Sequence, residues 1–125
     1  MPDEIHESGE DYLEAILRLQ IENGIARSVD VAKKLGVSKP SVSRAMSILE
    51  ERGYVTVGKI GALEFTEKGK NLAEEIYSRH VLLTKFLQKI TGVNEKQAEE
   101  NACKIEHDID EDIKRGIERW MAENA

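Results

Sequence analysis

The stretch DVAKKLGVSKPSVSRAMSILEERGYV, residues 30–55, constrains the fold more than any other part of the chain. Two amphipathic segments flank a glycine and a Ser-Lys-Pro tripeptide. In SVDVAKKLG, Ser28 is expected to cap a short helix, with Val29, Ala32 and Leu35 facing inward and Gly36 ending the run. Ser38 caps the next helix, and Pro40 sits in its first turn, where a missing N–H costs nothing. Val42, Ala45, Met46 and Leu49 recur at helical spacing, so they form the buried side of a helix that runs to Glu51. Ala32 is small where two helices would cross closely, and Val37 is expected to plug the gap between them. Helix, sharp turn and helix in this order predict a helix-turn-helix.

The flanks extend the pattern. Residues 6–23 read as a helix with an apolar stripe of Tyr12, Leu13, Ile16, Leu17 and Leu19 to Ile21, closed by Gly24. After Gly53, YVTVGKIGALEFT places two β-rich runs around Gly58 to Gly61, the pattern of a short hairpin. A long helix is predicted from about Lys70 to Thr91, with Leu72, Ile76, Leu83, Phe86, Leu87 and Ile90 on its apolar face. Asn94 caps a further helix from Glu95 to about Asp108. Another turn or two follows, with Ile113, Ile117 and Trp120 spaced for one face. The fold class is therefore mainly α with a small β-hairpin wing. A winged helix-turn-helix domain spans residues 1–69, and a helical domain spans residues 70–125.

The net charge of −6 speaks against a polyanion partner, but its distribution does not. Between Ala26 and Lys59 there are seven basic residues and three acidic ones, whereas residues 1–25 hold seven acids and one arginine, and residues 95–125 hold ten acids and five bases. A basic island between acidic ends is a footprint for a polyanion on one face. The exposed side of the third helix would carry Lys39, Pro40, Ser41, Ser43, Arg44 and Ser47. Such a face can enter a major groove, with Arg44 able to make a bidentate hydrogen bond to guanine. Ser38 and Ser41 can donate to phosphates near the helix start, Arg27 adds to the basic island, and Lys59 at the hairpin tip would touch an adjacent backbone. The plainer reading is a protein-binding winged helix with an ordinary charged surface; the local positive balance and the small polar face weigh against it.

A second pattern lies in NACKIEHDIDED. Cys103, Glu106 and His107 fall at i, i+3 and i+4, on one helical face. Each has an ordinary explanation alone, but a thiol, a carboxylate and an imidazole on one stripe can converge on a cation. Asp11 and Glu14 are likewise i, i+3 beside Tyr12 and Leu13, where acids need partners. His80 lies among SRHVLL. A single cysteine excludes an internal disulfide and fits a reducing compartment. No positively charged leader precedes an apolar run, and no apolar stretch approaches the roughly 18 residues of a membrane span. A soluble cytoplasmic protein is expected.

With GEDYLEAIL, VAKKLGVSKPSVSRAMSILEERGYV, FTEKGK, SRHVLL and ACKIEH in view, the chain resembles the diphtheria toxin repressor family of iron- and manganese-dependent repressors over nearly its whole length. The resemblance implies a homodimer on a palindromic double-stranded DNA operator, activated by Fe(II) or Mn(II), and controlling metal-uptake genes. It implies metal ligands at Asp11, Glu14, His80, Glu106 and His107, as in the manganese-sensing branch. Cys103 departs from that branch, which has glutamate there, and matches the iron-sensing one; Asp11 departs from the iron branch, which has methionine. The auxiliary site of the iron branch corresponds here to His80, Thr84 and Glu99, of which Thr84 is not an ordinary metal ligand. Thiolate favours a softer ion and the two acids a harder one, which leans toward Fe(II) with Mn(II) close behind; Co(II), Ni(II) or Zn(II) would also bind in vitro.

Two other classes compete. One is a metal-independent winged-helix regulator that senses a small organic ligand. The other is a metal-dependent hydrolase, disfavoured because no substrate pocket or separate general base is evident in the sequence. No enzyme activity, membrane partner or organic substrate is expected.

Overall fold

The computed structural model describes residues 7–58 and 60–125. The element order is α1 (Glu7–Asn23), α2 (Ser28–Leu35), α3 (Lys39–Glu51), β1 (Val55–Val57), β2 (Leu63–Phe65), α4 (Glu67–Thr91), α5 (Glu95–Ile105) and α6 (Glu111–Glu123). The chain divides within α4, between Glu74 and Glu75, into two compact units.

In the first unit, α1, α2 and α3 pack on one another, and α3 packs on β1. Their shared core is Leu13, Ile16, Ala26, Val31, Val42, Leu49, Val55 and Leu63, all buried. Removing the valine, leucine and isoleucine side chains among them from water supplies about 1.5–3 kcal/mol each, which outweighs the weak propensity of an eight-residue helix such as α2. Gly36 ends α2 with a left-handed φ of 67°, and its N–H donates to Ala32 O. Ser38 Oγ then accepts from Ser41 N at 3.2 Å, and Pro40 sits in the first turn of α3. This is the turn expected from the sequence.

The hairpin is antiparallel, with Val55 opposite Phe65, Thr56 opposite Glu64 and Val57 opposite Leu63. An isolated bridge between Arg27 and Ala62, with Leu63 N donating to Ala26 O at 2.8 Å, ties the hairpin to the segment before α2. The bridge holds Arg27 extended, so Arg27 rather than Ser28 is the cap residue of α2, and its side chain makes no capping bond.

Three inward assignments are corrected as well. Val31, not Val29, is buried on α2, because the stripe follows Val31, Ala32 and Leu35. Val37 is exposed: it follows the left-handed Gly36, which turns the chain outward. Ile21, in the last turn of α1, is also exposed.

The start of α4 belongs to the first unit. Thr66 Oγ1 accepts from Gly69 N at 3.0 Å and donates to Gly53 O at 2.6 Å. Thus α4 begins at Glu67, three residues earlier than its apolar period suggests. Lys68 Nζ lies 4.4 Å from the centre of the Tyr54 ring, and the backbone of Tyr54 passes so close to Gly69 that a Cβ there would lie 1.8 Å from Tyr54 O.

In the second unit, Ile76 and Leu83 of α4 are buried, as are Ala98 and Ala102 of α5. Asn94 caps α5 by accepting from Gln97 N at 2.8 Å. The helix ends at Ile105, and residues 106–108 form a turn. Asp110 Oδ1 accepts from Ile113 N at 3.0 Å and starts α6, which runs for 13 residues rather than a turn or two. Trp120 meets Phe86 edge-on, with ring centres 5.5 Å apart.

Candidate metal centre and nucleic-acid interface

Each unit carries part of the predicted ligand set. In the first unit, Asp11 and Glu14 lie one turn apart on α1, and each offers a carboxylate oxygen within 4.8 Å of the other's. Asp11 is half-buried. Glu14 is only 4% exposed, with Arg18 Nη1 3.8 Å from its Oε2. A carboxylate buried among Leu13, Ile16 and Leu17 is costly to keep ionised unless cationic partners compensate it.

In the second unit the ligand types converge more fully. His80 lies mid-way along α4, and Glu106 and His107 sit in the turn that ends α5. His80 Nδ1 is 2.8 Å from Glu106 Oε2, and His80 Nε2 is 3.2 Å from Glu99 Oε1. His107 Nε2 is 3.4 Å from the other oxygen, Glu106 Oε1. Glu106 is 1% exposed, and its Oε1 is buried without a hydrogen bond. A buried carboxylate oxygen facing an imidazole nitrogen has the chemistry of a divalent-metal ligand.

With both ring nitrogens facing carboxylates, a doubly protonated His80 satisfies both contacts. A metal taken by this ring would therefore displace a proton. Thr84 Oγ1 donates to His80 O at 2.8 Å, so its hydroxyl hydrogen is committed to its own helix.

Cys103 is an exposed cysteine on α5, while Glu106 beyond it is buried. The shared stripe thus ends in two different environments. One residue that the sequence reading passed over also matters here. Arg79 donates from Nη1 to Glu106 O at 2.9 Å and from Nη2 to Glu75 Oε1 at 3.0 Å, which fixes the backbone that presents Glu106 and His107. Its place beside His80, and four residues after Glu75, was the available signal.

The DNA-facing candidates lie on the first unit. Val42, Met46 and Leu49 anchor α3. Lys39, Pro40, Ser43, Arg44 and Ser47 are exposed, and Ser41 is half-buried. Ser38 is exposed, but its hydroxyl donates to Ser41 Oγ at 2.9 Å, so the Ser41 hydroxyl is the better placed of the two to donate outward. Arg27 is exposed beside the hairpin bridge. Lys59 lies outside the described residues. Among the described residues, no helix is long and apolar enough to cross a membrane.

A winged helix followed by a helical unit with a buried acid–imidazole cluster defines the class of metal-responsive DNA-binding regulators. Comparison with known proteins narrows this. Residues 4–63 match the family model described as iron dependent repressor, N-terminal DNA binding domain, and residues 66–123 match iron dependent repressor, metal binding and dimerisation domain. The chain belongs to the iron-dependent repressor family, the same group as the diphtheria toxin repressor and manganese transport regulators.

Among its relatives, the HTH-type transcriptional regulator MntR of Geobacillus thermodenitrificans is 38% identical over 118 residues, covering 94% of this chain and 74% of the relative. An uncharacterised HTH-type transcriptional regulator of Methanocaldococcus jannaschii is 33% identical over 116 residues, covering 92% of this chain and 93% of the relative. Of the solved structures, IdeR of T. acidophilum superposes with a TM-score of 0.81 at 26% identity, covering 94% of this chain and 55% of that one. A manganese-dependent transcriptional repressor in complex with manganese gives 0.84 at 26% identity, covering 91% and 52%. The chain spans about half the length of these solved chains.

Proposed function

We propose that this protein is a metal-activated repressor that binds a palindromic operator as a homodimer in the cytoplasm, responds to Fe(II) or Mn(II), and controls metal-uptake genes without catalysing a reaction. Residues 1–69 serve as the DNA-reading head and residues 70–125 as the dimerisation and metal-binding part. The observation that carries this reading is the buried Glu106 carboxylate, held by His80 on one oxygen and facing His107 with the other.

Asp11 and Glu14 of the head and His80, Cys103, Glu106 and His107 of the helical part would hold the ion, with Glu99 as a lesser ligand through His80. The ion would supply positive charge that offsets these carboxylates. Without that charge, Asp11, Glu14 and Glu106 would repel one another in such a site, and the head would have no fixed relation to its dimer mate. With it, two α3 helices keep the one separation that matches two operator half-sites. Moving the protein from mostly loose to mostly locked takes about 5.5 kcal/mol of differential binding, which several ligands to one divalent ion can supply.

The test is fluorescence anisotropy on a labelled operator duplex, with chelator-treated protein titrated separately with Mn(II) and with anaerobic Fe(II). Binding that appears only with metal supports the reading. Operator binding unchanged by chelator sinks it, and leaves the metal-independent regulator of a small organic ligand in its place.

A further inference from the structure

The recognition face of α3 is unusually sparse. Along its exposed side run Pro40, Ser43, Arg44 and Ser47, and only Arg44 is both long and positively charged beyond the first residue of the helix. We propose that Arg44 is the specificity-determining residue of the DNA interface: it reads one guanine in each half-site, and the operator concentrates its sequence information at that G·C pair. This rests on the reading of α3 as the helix that enters the major groove.

Four observations support it. First, among the described residues the Arg44 side chain has no hydrogen bond or ion pair, whereas three other cations of the first unit are engaged. Lys34 pairs with Glu22 at 3.5 Å, Arg18 lies 3.8 Å from Glu14, and Lys68 lies over Tyr54 and donates to Arg52 O.

Second, no acid shares its neighbourhood on the helix. The first turn of α3 has none, and the acids nearest to Arg44 on α3 are Glu50 and Glu51, more than one turn on. A guanidinium without a competing carboxylate keeps its donor fork free for O6 and N7 of guanine.

Third, the exposed flanking positions do not compete with Arg44 for a base. Ser43 and Ser47 stand at i−1 and i+3, and the exposed Ile48 at i+4 has no hydrogen-bonding side-chain group. A serine hydroxyl bonds to donors and acceptors alike, so it discriminates poorly between bases. Fourth, Arg44 is held by its neighbours rather than by its own contacts: Val42 and Met46 on either side of it are buried, which fixes the backbone from which it projects.

Lys39 is also exposed, but it occupies the first residue of α3. There its ammonium, a point charge without a planar fork, suits a phosphate rather than a base.

The experiment is selection of duplexes from a randomised pool by Mn(II)-loaded full-length protein at fixed salt, followed by anisotropy on the selected duplex and on a scrambled one. Wild type should select one guanine in each symmetric half-site. Arg44→Ala should bind the selected duplex about 10- to 100-fold more weakly and the scrambled duplex less than about threefold more weakly. Arg44→Gln should shift the selected base from guanine to adenine, since glutamine matches N6 and N7 of adenine. Circular dichroism should be unchanged in both variants, because Arg44 is exposed.

Equal weakening on both duplexes would overturn the proposal and make Arg44 a phosphate contact, as would retention of guanine by Arg44→Gln. Wild-type protein that binds no duplex with any metal would instead overturn the repressor reading beneath it.

Discussion

His80 and Glu106 form a buried acid–imidazole pair: Nδ1 lies 2.8 Å from Oε2, with the two side chains 4% and 0% exposed. The pair spans 26 residues of sequence and joins α4 to the end of α5. A buried carboxylate left without its partner keeps the full cost of its lost hydration.

His80→Ala should therefore lower the stability of the chelator-treated protein by roughly 1–3 kcal/mol, the cost of stranding a buried charged acceptor. Urea denaturation in the presence of chelator measures it. His107 still faces the other carboxylate oxygen of Glu106, which places the effect at the lower end of a broken buried pair. An unchanged midpoint would mean that Glu106 does not depend on His80.

Two glycines in helices should respond oppositely to alanine. A Cβ on Gly69 would lie 1.8 Å from Tyr54 O, a backbone atom that cannot swing away, so Gly69→Ala must push the first turn of α4 off the base of the hairpin. Overpacking of this kind costs about 1–3 kcal/mol. At Gly116 the nearest atom is 3.8 Å away, at the flexible tip of Arg119, and Gly116→Ala should stabilise α6 by up to about 1 kcal/mol. Thermal melts of the two variants, read by circular dichroism, should move in opposite directions.

Some features were legible in the sequence because they are local. Gly36, Ser38 and Pro40 act within four residues of themselves, so the helix-turn-helix and its caps follow from residue chemistry. Asn94 caps α5 for the same reason. The start of α2 was misread because a long-range event decides it: the bridge from Arg27 to Ala62 fixes the cap position, and no spacing near Ser28 records it. The early start of α4 has the same origin, since Thr66 is placed by Gly53 and Tyr54. In the site, the i, i+3, i+4 spacing brought Glu106 and His107 to notice, but not that Cys103 is exposed while Glu106 is buried. His80 reaches Glu99 and Glu106 only through packing, which periodicity along the chain does not record.

The last helix depends on its cap. No residue of α6 is buried, so tertiary packing contributes little to hold its first turn. Asp110 Oδ1 satisfies Ile113 N there, and Glu111 and Asp112 add negative charge at the positive end of the helix dipole. Asp110→Ala should cost about 1 kcal/mol and reduce helical ellipticity before the main unfolding transition. Amide exchange at Ile113 gives the site-specific measure: it should rise in the variant, and exchange no faster than wild type would show that the cap carries no weight.

Metal preference should turn on Cys103. The thiol stands where the manganese-sensing branch has glutamate, and it is an exposed residue, so a longer side chain can be accommodated there without repacking a core. Sulfur favours softer ions and carboxylate oxygen favours Mn(II), while in the proposed site Asp11, Glu14 and Glu106 would supply hard oxygens. Cys103→Glu should lower the Mn(II) concentration for half-maximal operator binding relative to that for Fe(II) or Zn(II). A shift of about tenfold is expected, at the low end of what changes around a metal ligand produce. The measurement is an operator gel shift titrated with each ion, Fe(II) under anaerobic conditions. If the three ions keep their wild-type ranking and spacing, Cys103 takes no part in selectivity, and the choice rests with the carboxylates and imidazoles alone.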